Sequence, residues 1–293
     1  MPVRLSPWLS LIDTFQFGVP EISAVYAVRG SRCALIDTGT SRTTTRLKEQ
    51  LGSITPHIIL LTHIHLDHAG GVVALAETYP EATVYVHERG VRHLVDPIRL
   101  NTGARAAAGQ LADLYGEMEV LPSGRIEILH DGDEIDLGQG KLIQAIATPG
   151  HALHHLCFFE RSNRTLFCGD AVGIWRFGEH IPATVPPSFD LQTSCRDLDR
   201  LKTYHPKTLC FSHFGQSYHA MKVLDQYGSI LREWVEAIRT RRQDDRSDAL
   251  RSDEDVVDAV LSQPRFRVLG EPLRWEAAMF VRGVLHYLDR DVG

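Results

Sequence analysis

Residues 60–71 read LLTHIHLDHAGG, so His63, His65, Asp67 and His68 fall within six positions directly behind an apolar run. Solvated histidines need no such grouping. HIILLT reads as a strand buried on both faces, and the carboxyl end of such a strand delivers side chains into a crevice. His63 and His65 are two apart and project to the same side while the extended geometry persists. Asp67 and His68 follow from the adjoining loop, and Gly70 and Gly71 open the next helix. Any one of these residues alone would more often be a polar loop residue capping a helix. Two imidazoles followed by a carboxylate–imidazole pair suit a metal cluster, and two adjacent ions better than one.

The rest of a coordination sphere lies downstream. His151 ends TPGH, Asp170 ends CGD and His213 sits in FSHFG, each in a glycine-containing turn after an apolar, strand-like run. Seven candidate ligands emerge.

The surrounding pattern alternates short β-rich runs with helical ones. AVYAVRG and CALIDTG form an expected hairpin, TTTRLKEQLG an expected helix ended by Gly52, and ATVYVHE a further strand. Residues 88–118 carry helical spacing and high alanine content and read as a helical insertion. Strands return in RIEILHDGDEIDLG, KLIQAIATPG, HHLCFFERSNRTLFCGD and TLCFSH. From about residue 216 the pattern turns helical, with Ala277, Phe280, Val281, Val284 and Leu288 along one face. The expected division is a domain over 1–215 and a helical extension over 216–293 packed on it. The mixed-sign run RTRRQDDRSDALRSDED reads as a solvated connector.

Composition excludes several classes. The chain has 293 residues, with 31 basic against 37 acidic side chains and a formal net charge of −6, which argues against a phosphate-backbone binder. Cys33, Cys157, Cys168, Cys195 and Cys210 are odd in number and contain no C-x-x-C pair, so neither a disulfide framework nor a thiolate zinc site is indicated. With no signal-like N-terminus and no run long enough to span a membrane, a soluble protein of the reduced cytoplasm is expected.

The order H63-x-H65-x-D67-H68, His151, Asp170, His213 resembles the metallo-β-lactamase superfamily over roughly residues 15–215. The resemblance implies an α/β fold, the αβ/βα sandwich of two mixed sheets with helices outside. It assigns His63, His65 and His151 to a first metal, Asp67, His68 and His213 to a second, and Asp170 to a bridge between them. Asp37, in LIDTG, matches a position that braces the site from behind. The implied chemistry is hydrolysis, since paired divalent ions lower the pKa of a shared water from 15.7 to roughly 7, with Asp67 orienting the nucleophile or taking its proton. Zinc is the expected metal, and iron or manganese would suit the same thiolate-free ligands. His154 and His155 are expected on opposite faces of a strand and away from the metals, and His57, His87, His130 and His286 are expected to be structural.

The substrate is less constrained. The chain lacks the cysteine that true β-lactamases commonly place at Asp170, and AVGIWRFG stands where glyoxalase II enzymes carry a Gly-Cys-Gly loop. Trp175 and Phe177, with Phe214 and Tyr218 after His213, are expected to give the site an apolar rim. In arrangement the chain is similar to single-domain members with helical caps, which implies a medium-sized, partly apolar ester or thioester as small-molecule substrate. A lactonase, a phosphodiesterase using Arg176, Arg89 or Arg92, and a metal-bearing effector are the alternatives. No nucleic-acid or membrane partner is expected, and oligomeric state is left open, a homodimer included.

Overall fold

The computed structural model describes residues 2–176, 179–245, 252–267 and 269–290. The first sheet lays seven strands side by side in chain order: β1 (Val3–Arg4), β2 (Leu9–Asp13), β3 (Ala24–Arg29), β4 (Cys33–Ile36), β5 (Ile58–Leu60), β6 (Thr83–His87) and β7 (Ile126–Leu129). The expected hairpin is β3–β4, with Tyr26 opposite Ile36. Strands β4 to β7 run parallel, which requires crossovers. These are α1 (Thr44–Leu51), then α2 (Leu66–Ala69) with α3 (Val72–Thr78), then α4 (Glu88–Val95), α5 (Ile98–Ala108) and α6 (Gln110–Tyr115). β5 is apolar throughout because parallel neighbours and packing on both faces leave no solvated side.

The second sheet takes β8 (Glu134–Asp136), β9 (Leu142–Ala147), β10 (Leu156–Glu160) and β11 (Thr165–Phe167). A separate ribbon, β12 (Ile174–Arg176) with β13 (Glu179–Ile181), and α7 (Leu191–Thr203) follow. β14 (Thr208–Cys210), parallel to β11, and the short β15 (Gln216–Ser217) complete the sheet. The remaining helices are α8 (Ala220–Asp245), α9 (Asp253–Leu261), α10 (Pro264–Arg267) and α11 (Glu271–Arg290).

The two sheets face each other across one apolar layer, in which Tyr26, Ile36 and Leu60 of the first meet Leu156, Phe158 and Phe167 of the second. Tyr26 and Phe167 pack edge to face at 5.5 Å between centroids, an arrangement worth about 0.5–1.5 kcal/mol beyond its buried area. Opposite faces of both sheets pack against helices in a second cluster that includes Leu47 and Leu75 on one side and Leu198 and Leu231 on the other. This is the expected αβ/βα sandwich.

Helix α11 has few solvated positions, its residues 276–281 and 283–285 being buried. Gly283 explains the closeness of its packing, since a Cβ there would stand 1.7 Å from the Thr184 carbonyl oxygen. The same helix touches α5 and α6 of the insertion. The insertion and the C-terminal helix therefore meet over the strand ends that carry the candidate ligands. Residues 246–251 of the charged connector lie outside the described residues. Among the described residues no helix is long and apolar enough to cross a membrane.

Candidate metal centre

The seven residues converge at the carboxyl ends of strands. His63 and His65 follow β5, Asp67 and His68 sit on α2, His151 follows β9, Asp170 follows β11 and His213 follows β14. Their ligand atoms form three groups, each within 4.8 Å: His63, His65 and His151; His63, His68 and Asp170; Asp67, His68 and His213.

Hydrogen bonds behind the site decide which nitrogen three of the rings present. Thr62 Oγ1 lies 2.9 Å from both oxygens of Asp37, which can only accept, so the hydroxyl donates to Asp37 and accepts from His63 Nδ1 at 3.0 Å. His68 Nδ1 donates to Asp37 Oδ2 at 3.0 Å and His151 Nδ1 to the Ala183 carbonyl at 2.8 Å. The Nε2 lone pairs of His63, His68 and His151 are thereby turned into the site. Asp37 also accepts from Ser212 Oγ at 3.0 Å, next to His213. One buried carboxylate thus braces the loops of His63, His68 and His213.

Inside the site, like groups face each other. His65 Nδ1 stands 2.9 Å from His63 Nε2 and 3.2 Å from His151 Nε2. His68 Nε2, whose ring proton is already committed to Asp37, confronts Asp170 Oδ1 at 3.3 Å and Asp67 Oδ2 at 3.4 Å. His213 Nε2 lies 3.3 Å from the same Asp170 oxygen, while Asp170 Oδ2 faces His151 Nε2 at 3.6 Å. His68 Nε2 and Asp170 Oδ1 are buried without hydrogen-bond partners. Lone pairs and anions gathered this way call for shared positive charge, and the thiolate-free donor set suits a divalent cation.

The electrostatics agree. Burial, reinforced by neighbouring imidazoles, holds His63 well below its usual range and His65 down at about 3, and burial lowers His151. These rings stay neutral, as ligands must. His68 and His213 go the other way: against burial, Asp170 and its neighbours raise both rings, and their positive charge in turn outweighs burial and holds Asp67 and Asp170 below the carboxylate range, a charge that a bound cation would supply in place of the ring protons.

The two histidines expected on opposite faces of a strand both belong to the surroundings of the site. β10 begins only at Leu156, so His154 and His155 sit in the preceding turn, where strand alternation does not apply. His155 Nε2 accepts from the Asp170 backbone N–H at 3.0 Å, which leaves its Nδ1 to donate to Thr148 Oγ1 at 2.7 Å. Both nitrogens are used, so His155 positions the Asp170 turn. Gly169 in that turn has φ +49° and lies so close to the His155 ring that a Cβ would stand 2.4 Å from Nε2. The ring of His154 stands 5.8 Å from that of His65.

A cavity of about 600 Å³ opens onto the ligands and reaches out between the insertion and α11. Leu100, Ala104, Val185, Met279 and Phe280 give it apolar walls, and Tyr115 and Glu276 contribute polar groups. The expected rim is corrected in three positions. Trp175 turns away to stack on Phe211 at 6.1 Å and meet His180 at 4.7 Å, because β12–β13 packs as its own ribbon. Phe214 packs against the layer between the sheets. Tyr218 is 67 % exposed and lines a separate groove with Trp8 and Met221. Phe177 lies outside the described residues. Arg176 is buried in an ion pair with Glu276 at 2.7 Å and does not line the cavity. Besides the candidate ligands, most of the residues that line it come from α4, α5, α6, α11 and the segment 185–188, where no local motif marks a contact made across the fold.

Two facing mixed sheets with helices outside, and a histidine–aspartate cluster at the strand ends, define a class of metal-dependent hydrolases. The chain belongs to the metallo-beta-lactamase superfamily, whose family model matches residues 18–213. A metallo-beta-lactamase fold-containing protein of the archaeon Sulfurisphaera tokodaii is 32 % identical over 203 residues, covering 67 % of this chain and 74 % of its own. A hydroxyacylglutathione hydrolase of Yersinia pestis is 28 % identical over 218 residues, covering 73 % and 72 %. The crystal structure of an archaeal metallo-beta-lactamase superfamily protein from Sulfolobus tokodaii matches with a TM-score of 0.74 at 26 % identity, over 96 % of this chain and 99 % of that one.

Proposed function

We propose that this metallohydrolase holds two divalent ions, zinc being the expected metal, and cleaves an ester or thioester of a medium-sized, partly apolar small molecule. The observation that carries the binuclear reading is the division of Asp170: Oδ2 faces His151, and Oδ1 faces His68 and His213. His63, His65 and His151 would hold one ion, Asp67, His68 and His213 the other, with Asp170 between. Ions bound there supply Lewis acidity and bring the pKa of water to about 7.

The chain's own residues do the rest. Against burial, neighbouring His68 and His213 hold the Asp67 carboxyl below its usual range, so it is suited to accepting a hydrogen bond that orients the attacking water and is a weak base for its proton. Burial and the charges of Asp67 and Glu276 push the Tyr115 phenol well above its usual range. At neutral pH Tyr115 is therefore a hydrogen-bond donor at the cavity wall. The apolar walls exclude water from the acyl portion of the substrate.

The relationship to a hydroxyacylglutathione hydrolase supports thioester chemistry. A panel of p-nitrophenyl esters, acyl thioesters, a lactone and bis-p-nitrophenyl phosphate, run with and without Zn²⁺, Mn²⁺ and Fe²⁺, tests the reading. Metal-dependent cleavage of esters or thioesters is expected. Preference for the phosphodiester would overturn the substrate class, and silence at full metal occupancy would favour a binding role.

A further inference from the structure

The cavity runs from Asp67, Asp170 and the ion-paired Glu276 at its inner end to Arg89, Arg92 and Arg99 at its mouth. Arg89 and Arg92 are three apart on α4 and so share a face, and Arg99 lies in the first turn of α5. His93 sits among them: Arg92 Nε donates to its Nε2 at 3.1 Å.

Among the described residues none of these three arginines has a carboxylate within 4.0 Å. Nearby acids are engaged elsewhere. Asp96 accepts from the Ile98 N–H at 3.3 Å, and Glu88 faces His130 at 3.8 Å. Arg105, on the same α5 but outside the cavity, pairs with Glu117 at 2.7 Å. A chain of net charge −6 thus gathers three uncompensated guanidiniums at the entrance to its metal centre. Guanidinium forks match carboxylate and phosphate oxygens. Between the two ends, Leu100, Ala104, Ala107 and Leu153 offer only apolar contact.

Resting on the hydrolase reading above, we propose that Arg89, Arg92 and Arg99 receive an anionic group, carboxylate or phosphate, at the far end of the substrate's apolar segment from its scissile bond. The substrate class is then an anion-tailed acyl ester or thioester. It binds with its scissile carbonyl toward Asp67 and Asp170 and its anion at the mouth, where the three guanidiniums stand.

The test uses metal-loaded enzyme and three p-nitrophenyl esters of one acyl length, ending in methyl, carboxylate or phosphate. The anionic esters are expected to show higher kcat/KM through lower KM, by about two- to five-fold per arginine engaged. The preference should shrink with added salt. Replacing all three, R89Q/R92Q/R99Q, should collapse the anionic-to-neutral ratio, whereas R105Q should leave it unchanged. The better of the two anionic esters names the group. Equal or better turnover of the neutral ester, or a triple variant that preserves the ratio, would overturn the proposal. If no ester is cut, calorimetric binding of hexyl phosphate decides independently of turnover: binding weakened in the triple variant upholds the anion site, and absent or unaltered binding sinks it.

Discussion

Asp37 Oδ2 and His68 Nδ1 meet at 3.0 Å in a buried contact, and through it a residue outside the cavity sets the direction of a candidate metal ligand. The same carboxylate accepts from the Thr62 N–H at 2.8 Å and from Ser212 Oγ at 3.0 Å. Asp37→Ala should weaken metal affinity about 10–100-fold, more at the His68 site than at the His63 site. Metal titration of the variant checks this. Unaltered affinity at both sites would show that Asp37 does not brace them.

Asp197 predicts a pH-dependent effect. Its Oδ2 accepts from the Gly150 N–H at 2.7 Å, one residue before His151. Burial pushes its carboxyl up to about 6, against the lowering effect of that N–H. The folded pKa lies above the unfolded value of about 3.9, so the native state binds the extra proton. Its contribution to stability is fully present below about pH 4 and is lost as pH rises through 6. Asp197→Asn keeps an acceptor for Gly150 without the buried charge. It should raise Tm relative to the parent at pH 8 and give no gain at pH 4. A lower Tm at pH 8 would contradict the sign.

Arg176 and Glu276 join β12 to α11 through a pair buried on both sides, with Arg176 Nε and Nη2 and Glu276 Oε1 lacking hydrogen-bond partners. Removing one partner strands a charge. Glu276→Leu alone should destabilise by about 3–5 kcal/mol, and adding Arg176→Met should restore most of the loss. Denaturant unfolding of the two variants measures it. Additive losses would mean that the two charges do not compensate each other.

The convergence of the seven candidate ligands was legible in the sequence because each stands close behind an apolar strand, so local spacing carries the pattern; LLTHIHLDHAGG alone gives four of them. Asp37 was legible through the family resemblance, in which LIDTG matches a bracing position. The cavity was not. Trp175, Phe214 and Tyr218 were expected on its rim from chain proximity to Asp170 and His213, yet proximity along a chain says nothing of which way a ribbon such as β12–β13 packs. His155 escaped because the strand begins two residues later than the pattern HHLCFF suggests. Glu276 is brought in by a helix a hundred residues from its partner Arg176, and a contact of that range leaves no periodicity to read.

The most direct test is the metal content of the protein after saturation and exhaustive dialysis, measured by elemental analysis beside ester hydrolysis for the parent, His213→Ala and Asp170→Ala. Two ions per chain are expected in the parent, one in His213→Ala, and loss of both with turnover in Asp170→Ala, because that carboxylate faces both groups of imidazoles. A parent that saturates at a single ion, or Asp170→Ala retaining two, would contradict the bridged binuclear centre.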